Sequence, residues 1–417
     1  MSISRGTCSA RPEAGELLGI EPFAAYSPEK RGGVRTCQAR AHGVSGPAPW
    51  MRRISAGMTA SIVRIAAAWL TVAAVVLAPS LPAMDGAAGV VVFAWLLVII
   101  VWSAFGVVHE AEELAHRLGE PLGTLVLTLS IVVIEVALIS AVMLGASSSP
   151  TLGRETMFAV LMIVLNGVVG LGLLVGGWRY NEQSYNLQGA SAYLTVIIPL
   201  SMIALVLPNF TTTTEVGTLS VMQSAAFSAF TVVLYGLFLW LQTGRHRGFF
   251  QPPDDGSPPV PLHGTGSGSL GLHLLLLLLN TLPIVILSKG MAKLLATGLA
   301  ELGAPAALGG IIIALIVFTP EGISALRATT ANQLTRALNL CLGAALSTLG
   351  LTVPAVLSIG LITHQPVMLG LSPANMVLLA TTLILTALTF SGTRTTMLEG
   401  AVHLSMFAAF LVLVFNP

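Results

Sequence analysis

Eleven long apolar runs divide this chain, near residues 62–80, 88–108, 121–146, 157–178, 191–208 and 221–243, then 270–288, 304–329, 336–360, 374–391 and 398–415. Most are about 18 to 25 residues long, the length a helix needs to cross roughly 30 Å of hydrocarbon. Inside lipid, backbone N–H and C=O groups must find partners within their own segment, so runs of this length fold as transmembrane helices. Composition agrees. Of 417 residues, 54% are hydrophobic and 9% charged, against about 25% charged in a soluble domain, and the mean hydropathy is +0.86. The expected fold class is an all-α integral membrane protein with about 11 transmembrane helices. A net charge of +1 gives no reason to expect a nucleic-acid partner. Cys8, Cys37 and Cys341 are scattered, without metal-ligand or disulfide spacing.

Two segments are different material. Residues 1–50 hold six of the nineteen Lys and Arg, four of the eighteen Asp and Glu, and no long apolar run. They are expected to be a disordered extension, or residues ahead of a start at Met51; a cytoplasmic regulatory tail is the functional alternative. A cleaved signal peptide over 62–78 is a third option, but the helix count makes sense with that run retained. Residues 244–269 are rich in Pro, Gly and Ser and read as a flexible linker. The chain then divides into a leading helix (51–87), a first five-helix repeat (88–243), the linker, and a second five-helix repeat (270–417).

Lys and Arg set the orientation. With the N-terminus inside, cytoplasmic segments hold Arg52, Arg53, Arg64, Arg117, Arg179, Arg245, Arg247, Arg327, Arg336 and Arg394, and the opposite face holds Arg154, Lys289 and Lys293. Ten against three obeys the positive-inside rule and puts the C-terminus outside. The halves also resemble each other. LGEPLGTLVLTLSIVVIEVALISA begins at Leu118 and LGAPAALGGIIIALIVFTPEGISALRA at Leu302. Both open with Leu-Gly-x-Pro and reach a Glu followed by Ile-Ser-Ala, after three residues in the first half and one in the second. Five spans per repeat make the second half enter the membrane from the opposite side, the inverted-repeat plan of secondary transporters.

Glu135 and Glu321 are the acidic residues far from either end of a span, each fourteen or more residues in. A charged side chain at mid-bilayer costs about 2.5–3.5 kcal/mol on insertion scales, and no Lys or Arg lies at comparable depth to pair with either. Two converging carboxylates suit a hard cation, which needs several oxygen ligands. Thr128, Ser130, Asn166, Thr319, Ser347 and carbonyls freed near Pro320 are candidates to complete the shell. A carboxyl group in a low dielectric resists ionisation, whereas bound metal needs it deprotonated. A site that holds protons or cation, and faces the two sides alternately, performs antiport. Two protonated glutamates hydrogen-bonded inside the bundle are the structural alternative.

These residues carry a family resemblance over nearly everything from about residue 60 onward. GEPLGTLVLTLSIVVIEVALISAVM, SPTLGRETMF, FTPEGISAL, RALNL and SGTRTTMLEGAVHLSMFAAF are similar to the bacterial calcium/proton antiporters of the cation-exchanger family, within the calcium:cation antiporter superfamily. The resemblance implies a multi-pass bacterial inner-membrane protein that exchanges Ca²⁺, or in some branches Na⁺ or K⁺, for protons. It also implies that Glu135 and Glu321 occupy the ion-binding glutamate positions. The chain departs from the Gly-Asn-x-x-Glu pattern of many exchangers: the windows read Ile131-Val132-Val133-Ile134-Glu135 and Val317-Phe318-Thr319-Pro320-Glu321. Both amides are gone, and with them two oxygen ligands of a Ca²⁺ site.

Three further features stand out. His109, Glu113 and His116 fall on one face of a short cytoplasmic-side helix, where they could gather cations or sense pH; a solvated interfacial stretch is the plainer reading. Glu399 and His403 lie one turn apart at the start of the last helix, either as a proton relay or as helix-start electrostatics and packing. Gly167, Gly170 and Gly172 follow Asn166 and suit close helix packing. No organic cofactor is implied, no Walker motif suggests ATP coupling, and nothing indicates a homo-oligomer. The expected partners are membrane lipid, inorganic cations and protons. A cation channel using the same glutamates is disfavoured by five-span inverted halves. An intramembrane enzyme is disfavoured because the spans lack a nucleophile–His constellation or a His-rich metal motif.

Overall fold

The computed structural model of the chain describes residues 49–84, 86–118, 122–143, 150–252 and 269–416. The proposed N-terminal extension up to residue 48 and linker residues 253–268 lie outside the described residues. The helices are α1 (Pro49–Leu77), α2 (Gly86–Leu118), α3 (Leu122–Met143), α4 (Leu152–Met162), α5 (Val169–Tyr180), α6 (Leu187–Ser201), α7 (Val221–Thr243) and α8 (Leu270–Glu301). They continue as α9 (Ala306–Thr330), α10 (Leu334–Ser347), α11 (Val353–Thr363), α12 (Pro373–Thr389) and α13 (Met397–Phe415). A π-helical turn, Ile163–Val168, joins α4 to α5 as one rod, and a second, Thr348–Thr352, joins α10 to α11. The thirteen segments thus make eleven rods, as the eleven apolar runs require. Large apolar side chains such as Leu70, Val91, Phe230, Ile384 and Val412 remain exposed, the surface expected where lipid is the solvent.

Local chemistry fixes many of the ends. Ser220 and Gln223 form a capping box at the start of α7, and Thr396 and Glu399 form one at the start of α13. Ser372 caps α12 ahead of Pro373, whose missing N–H costs nothing in the first turn. Prolines inside α6, α8 and α9 (Pro199, Pro283 and Pro320) each leave one carbonyl without its intrahelical donor. One apolar core gathers α4 to α7 with α9 to α13; another gathers α1, α2, α3 and α8 against α9. Glycines allow the closest approach. A Cβ on Gly400 of α13 would lie 2.3 Å from the Leu174 nitrogen and 2.7 Å from the Gly170 carbonyl oxygen, so α5 and α13 touch backbone to backbone.

Two three-residue strands, β1 (Glu182–Ser184) and β2 (Arg394–Thr396), pair antiparallel and tie the α5–α6 connection to the α12–α13 connection. Gln183 in β1 donates to the carbonyl of Thr329 and to Asn332 Oδ1, both at 3.0 Å. This pins the end of α9, the helix that carries Glu321.

Candidate functional site

Glu135 is the fourteenth residue of α3, and Glu321 the sixteenth of α9. Both are buried, at 2% and 4% exposure, on helices α3 and α9, which pack against each other. Their surroundings differ sharply. Thr352 Oγ1 donates to Glu135 Oε2 at 2.8 Å, and Thr348 Oγ1 reaches both carboxylate oxygens at 3.1 and 3.2 Å. Both threonines stand in the π-helical turn between α10 and α11. An extra residue per turn there rotates their hydroxyls off the α-helical ladder, a common device at functional sites. Glu321 has no such support. Both of its oxygens are buried without a hydrogen-bond partner among the described residues, a costly arrangement for a polar group.

A cavity of about 210 Å³ borders Glu321. It is lined by Glu321, by Thr128 and Ile131 of α3, and by Ser347 of α10, and it extends to Gln242 and Arg336 near the ends of α7 and α10. The route runs from one end of the bundle to a mid-helix carboxylate.

The other expected ligands are distributed unevenly. Thr128 and Ser347 line the cavity with Glu321. The Ser347 hydroxyl donates back to the Ala344 carbonyl at 3.0 Å, that of Ser130 to Val126 at 2.6 Å, and that of Thr319 to Leu315 at 2.5 Å. Each proton is committed to its own helix, leaving only lone pairs for a cation. Asn166, in the π-helical turn between α4 and α5, turns away. Its Nδ2 donates to Thr382 Oγ1 at 2.8 Å, and its Oδ1 lies 3.1 Å from His403 Nδ1. His403 Nε2 lies 3.1 Å from Thr389 Oγ1. With Oδ1 as acceptor, Nδ1 carries the proton and Nε2 accepts from Thr389, a satisfied buried chain.

Glu399 does not join that chain. Its carboxylate accepts from the Thr396 backbone N–H at 2.9 Å and from the Thr396 hydroxyl, completing the capping box. On the α2 face, His109 is exposed and Glu113 partly buried; the His116 side chain lies outside the described residues. The buried carboxylate of that stretch is Glu110, paired with His273 of α8 at 2.8 Å. Sequence reading missed Thr348 and Thr352. Their spacing of four, beginning directly after Ser347, was the available signal.

The family model described as sodium/calcium exchanger protein matches residues 88–244 and 272–416. The sodium-potassium/proton antiporter ChaA of Escherichia coli (strain K12) is 40% identical over 322 residues, covering 76% of this chain and 87% of that protein. Among solved structures, native YfkE superposes with a TM-score of 0.66 at 17% identity, covering 86% of this chain and 100% of that one. The H⁺/Ca²⁺ exchanger CAX gives 0.59 at 13% identity, with 84% and 88% coverage.

Proposed function

This chain belongs to the sodium/calcium exchanger protein family, and we propose that it exports cations from the cytoplasm in exchange for protons, with Glu135 and Glu321 as the shared binding site. The observation that carries this reading is Glu321: buried, without a hydrogen-bond partner among the described residues, at the lining of a cavity, and on a helix packed against the one that carries Glu135. Such a group is stabilised by taking a proton or by taking a cation, and each displaces the other. Thr348 and Thr352 hold Glu135 in place, and the lone pairs of Thr128 and Ser347 and the Ile316 carbonyl freed by Pro320 can complete an oxygen shell.

For the ion, the reading is Na⁺ and K⁺ together with Ca²⁺. The first two are supported by the 40% identity to a protein named a sodium-potassium/proton antiporter. Ca²⁺ is supported by the paired carboxylates and by a Ca²⁺/H⁺ antiporter of Aphanothece halophytica, 24% identical over 345 residues. The test is proton movement in inverted vesicles, adding each cation separately between pH 7 and 9. Saturable, pH-gradient-dependent release supports antiport; flux that neither saturates nor depends on the gradient points to a channel.

The ten-to-three Lys and Arg asymmetry supports a cytoplasmic N-terminus. The cavity end at Gln242 and Arg336 then faces the cytoplasm. A reporter fused after Pro417 should be active only outside the cytoplasm, and one inserted in residues 253–268 only inside. Activity of both on one face would break the inverted arrangement of the two halves.

A further inference from the structure

Helix α8 runs beside α2 and α3 and carries Pro283 in its interior. A proline in a helix interior removes one N–H, so the carbonyl four residues earlier, that of Leu279, loses its intrahelical donor and the helix becomes a site of bending. In a membrane, neighbouring groups must satisfy the freed carbonyl. Here the donor comes from the leading helix: Trp69 Nε1 of α1 reaches the Leu279 oxygen at 3.1 Å. One residue along α8, Asn280 accepts at Oδ1 from Arg64 Nε, also of α1, at 3.0 Å.

The arrangement is built to fit. The Arg64 guanidinium lies over Gly106 of α2, where a Cβ would come within 2.3 Å of Arg64 Nε and 2.4 Å of Asn280 Oδ1. Arg64 is 9% exposed and Asn280 fully buried. The charge is balanced by Glu110, which bears on Arg64 electrostatically and pairs with His273 of α8. Trp95 of α2 donates to Thr71 of α1 at 3.2 Å, a further tie two residues beyond Trp69. Arg64 and Trp69 precede residue 88, where the family match begins.

We propose that α1 is a strap across the proline hinge of α8, and that Trp69 and Arg64 are positioning residues which favour the conformation with the cavity open toward Gln242 and Arg336. They act through α8, which packs on α3, the helix of Glu135. Releasing the Leu279 carbonyl lets α8 bend at Pro283 and lowers the cost of leaving this state.

The proposal rests on the antiport reading, and wild-type exchange in inverted vesicles checks that reading first. Trp69→Phe keeps the aromatic packing and removes the donor. It should raise the half-saturating Na⁺ concentration at the cytoplasmic face about two- to tenfold, the worth of one hydrogen bond expressed as a population shift, with the maximal rate per inserted protein maintained. Pro283→Ala gives the Leu279 carbonyl a donor from its own helix and removes the site of bending, so half-saturation should stay at or below the wild-type value. Trp69→Phe added to Pro283→Ala should bring no rise, and this comparison also serves if Trp69→Phe alone accumulates poorly. An unchanged half-saturation in Trp69→Phe, or a rise of the same size when Trp69→Phe is added to Pro283→Ala, overturns the strap.

Discussion

Glu321→Gln is expected to abolish cation-driven proton movement while the protein still inserts at normal levels, and Glu135→Gln to do the same. Glutamine keeps the size and part of the hydrogen bonding of glutamate but supplies no charge and exchanges no proton. Stripping one partner from a buried charged assembly typically costs about 3–5 kcal/mol; at about 1.4 kcal/mol per decade, exchange falls at least a hundredfold. Glu399→Gln makes the contrast. Its carboxylate holds the Thr396 end of α13, so exchange should continue with somewhat lower stability. Near-normal exchange in either Glu135→Gln or Glu321→Gln would return both residues to the role of protonated structural groups.

The second large effect concerns the hydroxyls that hold Glu135. Thr348→Val together with Thr352→Val preserves side-chain volume and leaves the Glu135 carboxylate without either donor. Hydrogen bonds to a charged group are worth about 1.5–3 kcal/mol each. The double variant should therefore lose about a hundredfold or more in cation affinity, read as the cation concentration giving half-maximal proton release. Thr352→Val alone, which removes the shorter bond, should account for the larger share. An affinity within a few-fold of wild type in the double variant would place the ion away from Glu135.

The membrane architecture was open to sequence reading because lipid imposes one rule on every span: an apolar run of sufficient length, closed at each end by charge, Pro or Gly. The same rule made Glu135 and Glu321 visible, since a carboxylate inside such a run stands out on cost alone. The hydroxyls around them carried no such signal. Serine and threonine are tolerated throughout membrane helices by bonding back to their own carbonyls, as Ser130, Thr319 and Ser347 do. Only the π-helical turn at Thr348–Thr352 redirects two of them toward Glu135, and a one-residue change of helical register leaves no mark in composition. Asn166 sits in the corresponding turn of the first half, yet the bond it makes depends on His403 lying 237 positions away. The pairing of β1 with β2 was equally out of reach, because three-residue strands show no alternation to read.

A single site that holds either protons or a cation must release protons as the cation binds, and this release is measurable without a membrane gradient. Purified protein in detergent can be titrated with Na⁺, K⁺ and Ca²⁺ by calorimetry in buffers of different ionisation enthalpy, which counts protons released per cation bound. The wild type should release protons as it binds, and Glu321→Gln should release fewer or none. Binding with no proton release by the wild type would contradict the shared site.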